Sequence, residues 1–244
     1  MRKQRMRSVG CCWKALLSVC ALLSLNAAAQ NIQDISQESH YHLLLENEKV
    51  RIFSLDVGPH SETSLVRHPN NYLVIHLQES EIAAWNEGES DVITHRFAQD
   101  EIHFYFGGKA RAIRNDTATG YHCLMIEFLN PKVTTYGYQA GSGRWTYGSD
   151  MIPTPVDPRV KFATVMPLGE ATVKDIQLLP DDAYPAPEKD ADELIVALTD
   201  VDFRIGEKRI RKSKEDLIWI PAGRQSQLIN NGADPSRFVL IELR

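Results

Sequence analysis

Along Val50-Arg51-Ile52-Phe53-Ser54-Leu55-Asp56-Val57, apolar and polar side chains roughly alternate, the period of an extended strand that turns one face inward. Leu73–Leu77 and Leu194–Leu198 are mostly apolar runs of strand length, and Cys123–Leu129 and Phe238–Leu243 read as closing strands. Turn chemistry separates these segments at Gly107-Gly108, Pro221-Ala222-Gly223 and Asn231-Gly232. Beyond residue 29 no segment shows helical periodicity over ten residues. The pattern predicts an all-β chain built from short strands.

The pattern also occurs twice. A shift of 115 places aligns Asp100–Leu129 with Glu215–Arg244 without a gap, matching Gly108 with Gly223, Asn115 with Asn230, Ile126 with Ile241 and Glu127 with Glu242. Upstream, a shift of 121 places matches Pro59 with Pro180 and Tyr72–Ala83 with Glu193–Arg204. The difference between the shifts falls around residues 84–97, where a hairpin loop absorbs it. A repeat of roughly 75 to 80 residues is too long for a solenoid and fits a duplicated domain. The expected organisation is a leader over 1–29, a first barrel over 30–129, a connection over 130–158 and a second barrel over 159–244. The connection is rich in Gly and Pro and holds Tyr136, Tyr138, Trp145 and Tyr147. Those rings suit packing against a barrel wall, with a sugar-stacking platform as the alternative.

The leader changes the charge picture. Arg2, Lys3, Arg5 and Arg7 precede an apolar run from Val9 to Leu25 that ends in Ala27-Ala28-Ala29, the layout of a secretory signal peptide cleaved near Ala29. Lys14 interrupts the run and argues against a membrane anchor, and Val19 argues against lipid attachment at Cys20. Cleavage removes five basic residues, leaving 22 Lys and Arg against 32 Asp and Glu, a net charge of −10. Such a chain is secreted or periplasmic, and its charge suits neither nucleic acid nor an anionic membrane. Cys123 alone remains, so no disulfide framework supports the fold. The basic run Lys208, Arg209, Arg211, Lys212 and Lys214 reads as a solvated hairpin. Self-association into a homo-oligomer stays open.

At this point the residues resemble the cupin superfamily in duplicated form, a bicupin of two RmlC-like jelly-roll barrels (double-stranded β-helices). The resemblance covers residues 43–129 and 160–244. Ile220–Asn230 is similar to the second cupin motif, and Val57–Tyr72 to the first. The resemblance implies a divalent metal held by three imidazoles and a carboxylate. Carried over position by position, the first copy offers Val66, His68, Tyr72 and Arg111, of which His68 alone is a good donor. The second offers Pro187, Lys189, Glu193 and Ser226, with Glu193 alone surviving. An arginine in the last ligand position repels a cation. The expectation is therefore a degenerate metal site, with no metal and no cofactor.

The candidate ligand-binding residues are His68, Tyr72, His103, Tyr105 and Arg111. Arg111 would grip a carboxylate or sulfate-like group through its planar fork, or else form a salt bridge to Glu101 or Glu62. His103 shares a strand face with Glu101 and Tyr105, opposite Ile102, Phe104 and Phe106. If that face lines the barrel, His103, Tyr105 and His68 make a rearranged metal site; if the bulkier face points inward, His103 is exposed. The match of Phe104 with Trp219 favours the second arrangement. Cys123 reads as a buried thiol, and Asn115 and Asn230 as turn formers. Gly107-Gly108 opens no helix, and no nucleophile motif occurs. Three functions follow: a metal-free bicupin that binds a small anionic or sugar-like ligand or serves a structural role; a metal-independent sugar epimerase or isomerase using His68, Tyr72, His103 and Tyr105 in acid-base chemistry; and a metal-dependent oxygenase or isomerase.

Overall fold

The computed structural model describes residues 32–129, 145–147, 160–168, 171–185, 191–223 and 227–243. The leader over 1–29, nearly all of the connection over 130–158, and Pro187, Lys189 and Ser226 lie outside the described residues. Within them every regular element is a strand except one 3-10 turn, Ile35–Gln37.

Two sheets form the first repeat. One runs in the order Ile32–Asp34, Leu65–Arg67, Ala110–Asn115, Ser80–Asn86, Ile93–Phe97, with Ser61–Glu62 also paired to Ala110–Asn115. The other runs Trp145–Tyr147, Ile102–Tyr105, Tyr72–His76, Tyr121–Phe128, Val50–Val57, Tyr41–Glu46. In the second repeat the order is Val160–Pro167, Ala171–Leu178, Ser236–Leu243, Asp192–Ala197, Leu217–Ile220, facing a sheet of Ala183–Tyr184, Leu228–Asn230, Val201–Ile205 and Lys208–Lys212. The chain is thus all-β, with each repeat forming its own pair of sheets.

The apolar runs owe their composition to burial on both faces. Along Tyr121–Phe128, Tyr121, Cys123 and Met125 point into the first barrel, where they meet Phe53, Leu55, Tyr72 and Val74. Their alternates Leu124, Ile126 and Phe128 point outward, but not to water. With Val50, Ile52, Leu73, Ile75, Ile102 and Phe104 they pack against Ala171, Val173, Leu194, Val196, Val239, Ile241 and Leu243 of the second repeat. The two barrels therefore lie back to back across a shared apolar layer. The second barrel has its own interior around Ile176, Ile195, Phe203, Phe238 and Leu240.

The repeat extends to the turns. Asn115 donates its amide to the carbonyls of Val57, Gly58 and Thr119, and its oxygen accepts from the Thr117 backbone at 3.0 Å. Asn230 reproduces this with Leu178, Asp234 and Gly232, each the repeat counterpart of a residue around Asn115. Both asparagines are turn formers, as their sequence context suggests. Gly108 and Gly223 both sit in the left-handed region, at φ 97° and 77°, where a side chain would strain the backbone. Arg209 and Arg211 both bind Asp202 along a hairpin, with their side chains largely exposed on the surface.

Because Asn230 is fully buried and holds four backbone and side-chain groups together, Asn230→Ala should lower unfolding free energy by about 2 kcal/mol or more, measured in urea. A change below about 0.5 kcal/mol would show that the turn does not depend on it.

Candidate functional site

The first barrel gathers its polar residues through strand register. Tyr72 opens one strand directly opposite Tyr105, which closes the next. Arg111 lies across from Val66 on the facing sheet. His68 follows the strand Leu65–Arg67 by one residue and is buried. His68, Tyr72, Tyr105 and Arg111, with Tyr41 and Tyr121, line a cavity of about 20 Å³ whose remaining wall includes Val74, Ile82, Phe97, Ile113 and Met125. The space is small and is bounded by the Arg111 guanidinium and the rings around it.

The rings form a stack leading to the guanidinium. His68 and Tyr72 have centroids 4.3 Å apart, Tyr72 and Tyr105 lie 5.2 Å apart and nearly parallel, and the Arg111 guanidinium carbon sits 4.8 Å from the Tyr105 centroid. The Tyr72 and Tyr105 phenols also interact electrostatically with the Arg111 guanidinium. It makes no ion pair among the described residues. Glu101 instead accepts from the Ala98 backbone and bonds His103 Nε2 at 2.8 Å, which removes one of the salt bridges open to Arg111. Glu62 belongs to the strand paired with Arg114 and Asn115, and it makes no ion pair with Arg111 either. Nearby Arg51 is different, since it binds Glu127 at 2.6 Å.

Burial first, and then the positive charges of Arg111 and Arg51, push the His68 imidazole down to about 3. His68 is neutral at ordinary pH, and its buried Nδ1 meets no hydrogen-bonding partner. Burial raises the phenols of Tyr41, Tyr72 and Tyr121 above the usual tyrosine range, although Arg111 opposes the shift. A guanidinium stays protonated in any such setting. The cavity is therefore a neutral aromatic wall around one positive charge.

His103 corrects the sequence reading that favoured exposure. It is fully buried, and Ile102 and Phe104 turn into the layer between the barrels instead of the interior. The match of Phe104 with Trp219 holds, since Trp219 packs against that same layer. His103 sits beside the cavity wall, edge-on to His76 and Phe97 at 5.1 and 4.9 Å. Four of the five sequence candidates thus share one cavity, and His103 lies behind it. Tyr41 and Tyr121 were missed. Extending the period of two back from Cys123 and Met125 would have found Tyr121.

The donor set does not fit the divalent ion that the fold suggests. Val66 is part of the hydrophobic core, Arg111 is a cation, and no group of three His, Cys, Asp or Glu side chains that could hold a metal occurs among the described residues. The rearranged set of His68, Tyr105 and His103 does not converge on the cavity either, because His103 is outside its lining. Cys123 is buried, with its thiol pushed up to about 12 by burial, the behaviour of a core residue.

No family model matches the sequence, and no curated protein matches it. Solved structures do. The protein Ylba from E. coli superposes with a TM-score of 0.64 at 11% identity, over 89% of this chain and 88% of that one. A cupin 2 conserved barrel domain protein from Leptotrichia buccalis gives 0.57 at 8% identity, over 84% and 88%. A salicylate 1,2-dioxygenase from Pseudaminobacter salicylatoxidans gives 0.60 at 10% identity, over 83% and 76%. The resemblance read from the two motifs is thereby borne out at the level of fold: the chain folds as a duplicated cupin.

His68 sets a pH dependence. Its folded pKa lies below the unfolded value of about 6.5, so its contribution is complete above that pH and is lost as pH falls toward 3. Between pH 6.5 and 4.5 the native chain should lose about 2 kcal/mol more stability than His68→Gln. Its ring signals in an NMR titration should not move over that range. A midpoint near 6.5 would contradict the burial argument.

Proposed function

We propose that this chain is an exported, metal-independent bicupin whose first barrel binds the anionic head of a small molecule. One observation carries the reading: Arg111 is a charged group in an otherwise neutral cavity and lacks a carboxylate partner among the described residues. Arg111 is half-buried; partly removing a guanidinium from water without a counter-ion carries a cost, and a ligand carboxylate or small oxyanion offsets it through paired, charge-assisted hydrogen bonds. The cavity of about 20 Å³ limits what enters to the anionic head itself. Flanking phenols of Tyr72 and Tyr105 add neutral donors, and His68 supplies a ring nitrogen without altering the charge. A sugar-like ligand would use the aromatic wall but would leave Arg111 uncompensated, so an anion is the better fit.

The acid-base alternative is weaker on the same geometry. A general base works best with a pKa near the operating pH, whereas His68 is held near 3 and Tyr72 is raised above the ordinary tyrosine value. Metal-dependent chemistry would need donors that the positions of Val66, Tyr72 and Arg111 do not supply. Export rests on the leader over residues 1–29, and the charge of −10 after its removal keeps nucleic acid from being a partner.

Titration of the mature chain with sodium formate and sodium benzoate, at constant ionic strength and with a chelator present, should show one saturable site. Arg111→Ala should weaken it at least tenfold, and Arg111→Lys should restore part of the loss because a point charge replaces the fork. Equal affinity in Arg111→Ala, with an unchanged melting temperature, would place any anion site elsewhere and remove the basis of the proposal.

A further inference from the structure

The second barrel carries its own polar cluster, of opposite character. Glu193 and Glu242 are directly paired across adjacent antiparallel strands. Both lie on the interior face, in line with Ile195 on one strand and Leu240 on the other. Lys174, from the next strand, donates to Glu242 Oε1 at 2.5 Å and to the Tyr184 hydroxyl at 3.0 Å. Its ammonium therefore answers one of the two carboxyls. Glu193 is the one left over. The residue is 4% exposed, and its Oε1 is fully buried without a hydrogen-bonding partner.

We infer that this end of the second barrel is a binding site for a small organic ammonium ion with an apolar body, held between Glu193, Glu242 and Tyr184. The charge count selects a monovalent cation: with Lys174 already in place, one further positive charge balances two carboxylates. An ammonium group has three donors, matching the carboxyl of Glu193, the carboxylate of Glu242 and the phenolic oxygen of Tyr184. A divalent metal fits poorly, because it needs more oxygens than these and would sit against the Lys174 charge. Ile195, Ile220 and Leu240 belong to the apolar core on the same face as the cluster, the surface against which an alkyl body would pack. Burial, with the neighbouring Glu242 charge and against the effect of Lys174, raises the Glu193 carboxyl to about 7.

The site is independent of the Arg111 cavity, which lies in the other barrel. Calorimetric titration of the mature chain at pH 8 with n-butylammonium chloride, and separately with n-butanol, tests the inference. The amine should saturate one site and the alcohol should not, a comparison made on the unsubstituted protein. Glu193→Gln should weaken amine binding at least tenfold, while Arg111→Ala leaves it unchanged. Absence of saturation by the amine, equal binding of the alcohol, unaltered affinity in Glu193→Gln or loss in Arg111→Ala would each overturn the inference.

Discussion

The apolar layer between the barrels is the constraint on which the rest depends. Strands such as Leu73–Ile75 and Leu124–Phe128 bury one face in their own barrel and the other against the second repeat. A strand of that kind cannot slip by one residue, because a slip would exchange two buried faces of different composition. The register so fixed sets Tyr72 opposite Tyr105 and Glu193 opposite Glu242. Burial at about 25 cal/mol per Å² of apolar surface makes this layer the support that disulfides do not supply among the described residues, where Cys123 is free. Polar contacts fasten its edge. Arg237 reaches Asp100 of the first repeat and Asp175 of its own, and Lys49 binds Asp192.

On that frame the two interiors have diverged electrostatically. The repeat places Glu127 and Glu242 at matched positions, and each meets a basic residue from the neighbouring strand, Arg51 and Lys174. Beyond that shared pair the barrels part. The first has Tyr72 where the second has Glu193, and it adds Arg111 without a carboxylate. Its remaining charge is positive, and the surrounding groups are neutral. In the second, the carboxyl of Glu193 is the group that Lys174 leaves unanswered. On the proposed readings, two barrels of one fold are suited to ions of opposite sign.

Much of this was legible in the sequence because duplication supplies an internal control. A turn assigned once from Gly108 and Asn115 could be checked against Gly223 and Asn230, and the pattern of two identified the strands. The face assignment of Ile102–Tyr105 was not legible. Its rule, that the bulkier face turns inward, assumes one core, whereas this strand serves two and sends Ile102 and Phe104 to the second. That error hid the burial of His103. Arg111 was found as the residue occupying a ligand position, but its lack of a carboxylate partner among the described residues depends on Glu101 turning toward His103, a choice between two nearby partners that spacing does not encode. The Lys174, Tyr184, Glu193 and Glu242 cluster draws on four separate strands, the last distant in sequence, and periodicity within any one of them gives no sign of it.

The central claim is that an unpaired guanidinium makes the first barrel an anion site. Diffraction from a crystal of the mature protein soaked in sodium bromide, recorded at the bromine absorption edge, addresses it directly, since bromide is a small anion and its position is read without prior assumption. The account predicts an anomalous peak within hydrogen-bonding distance of the Arg111 guanidinium, beside Tyr72 and Tyr105. Ordered bromide at surface lysines with none in that cavity, or a metal ion bound at His68, would contradict it.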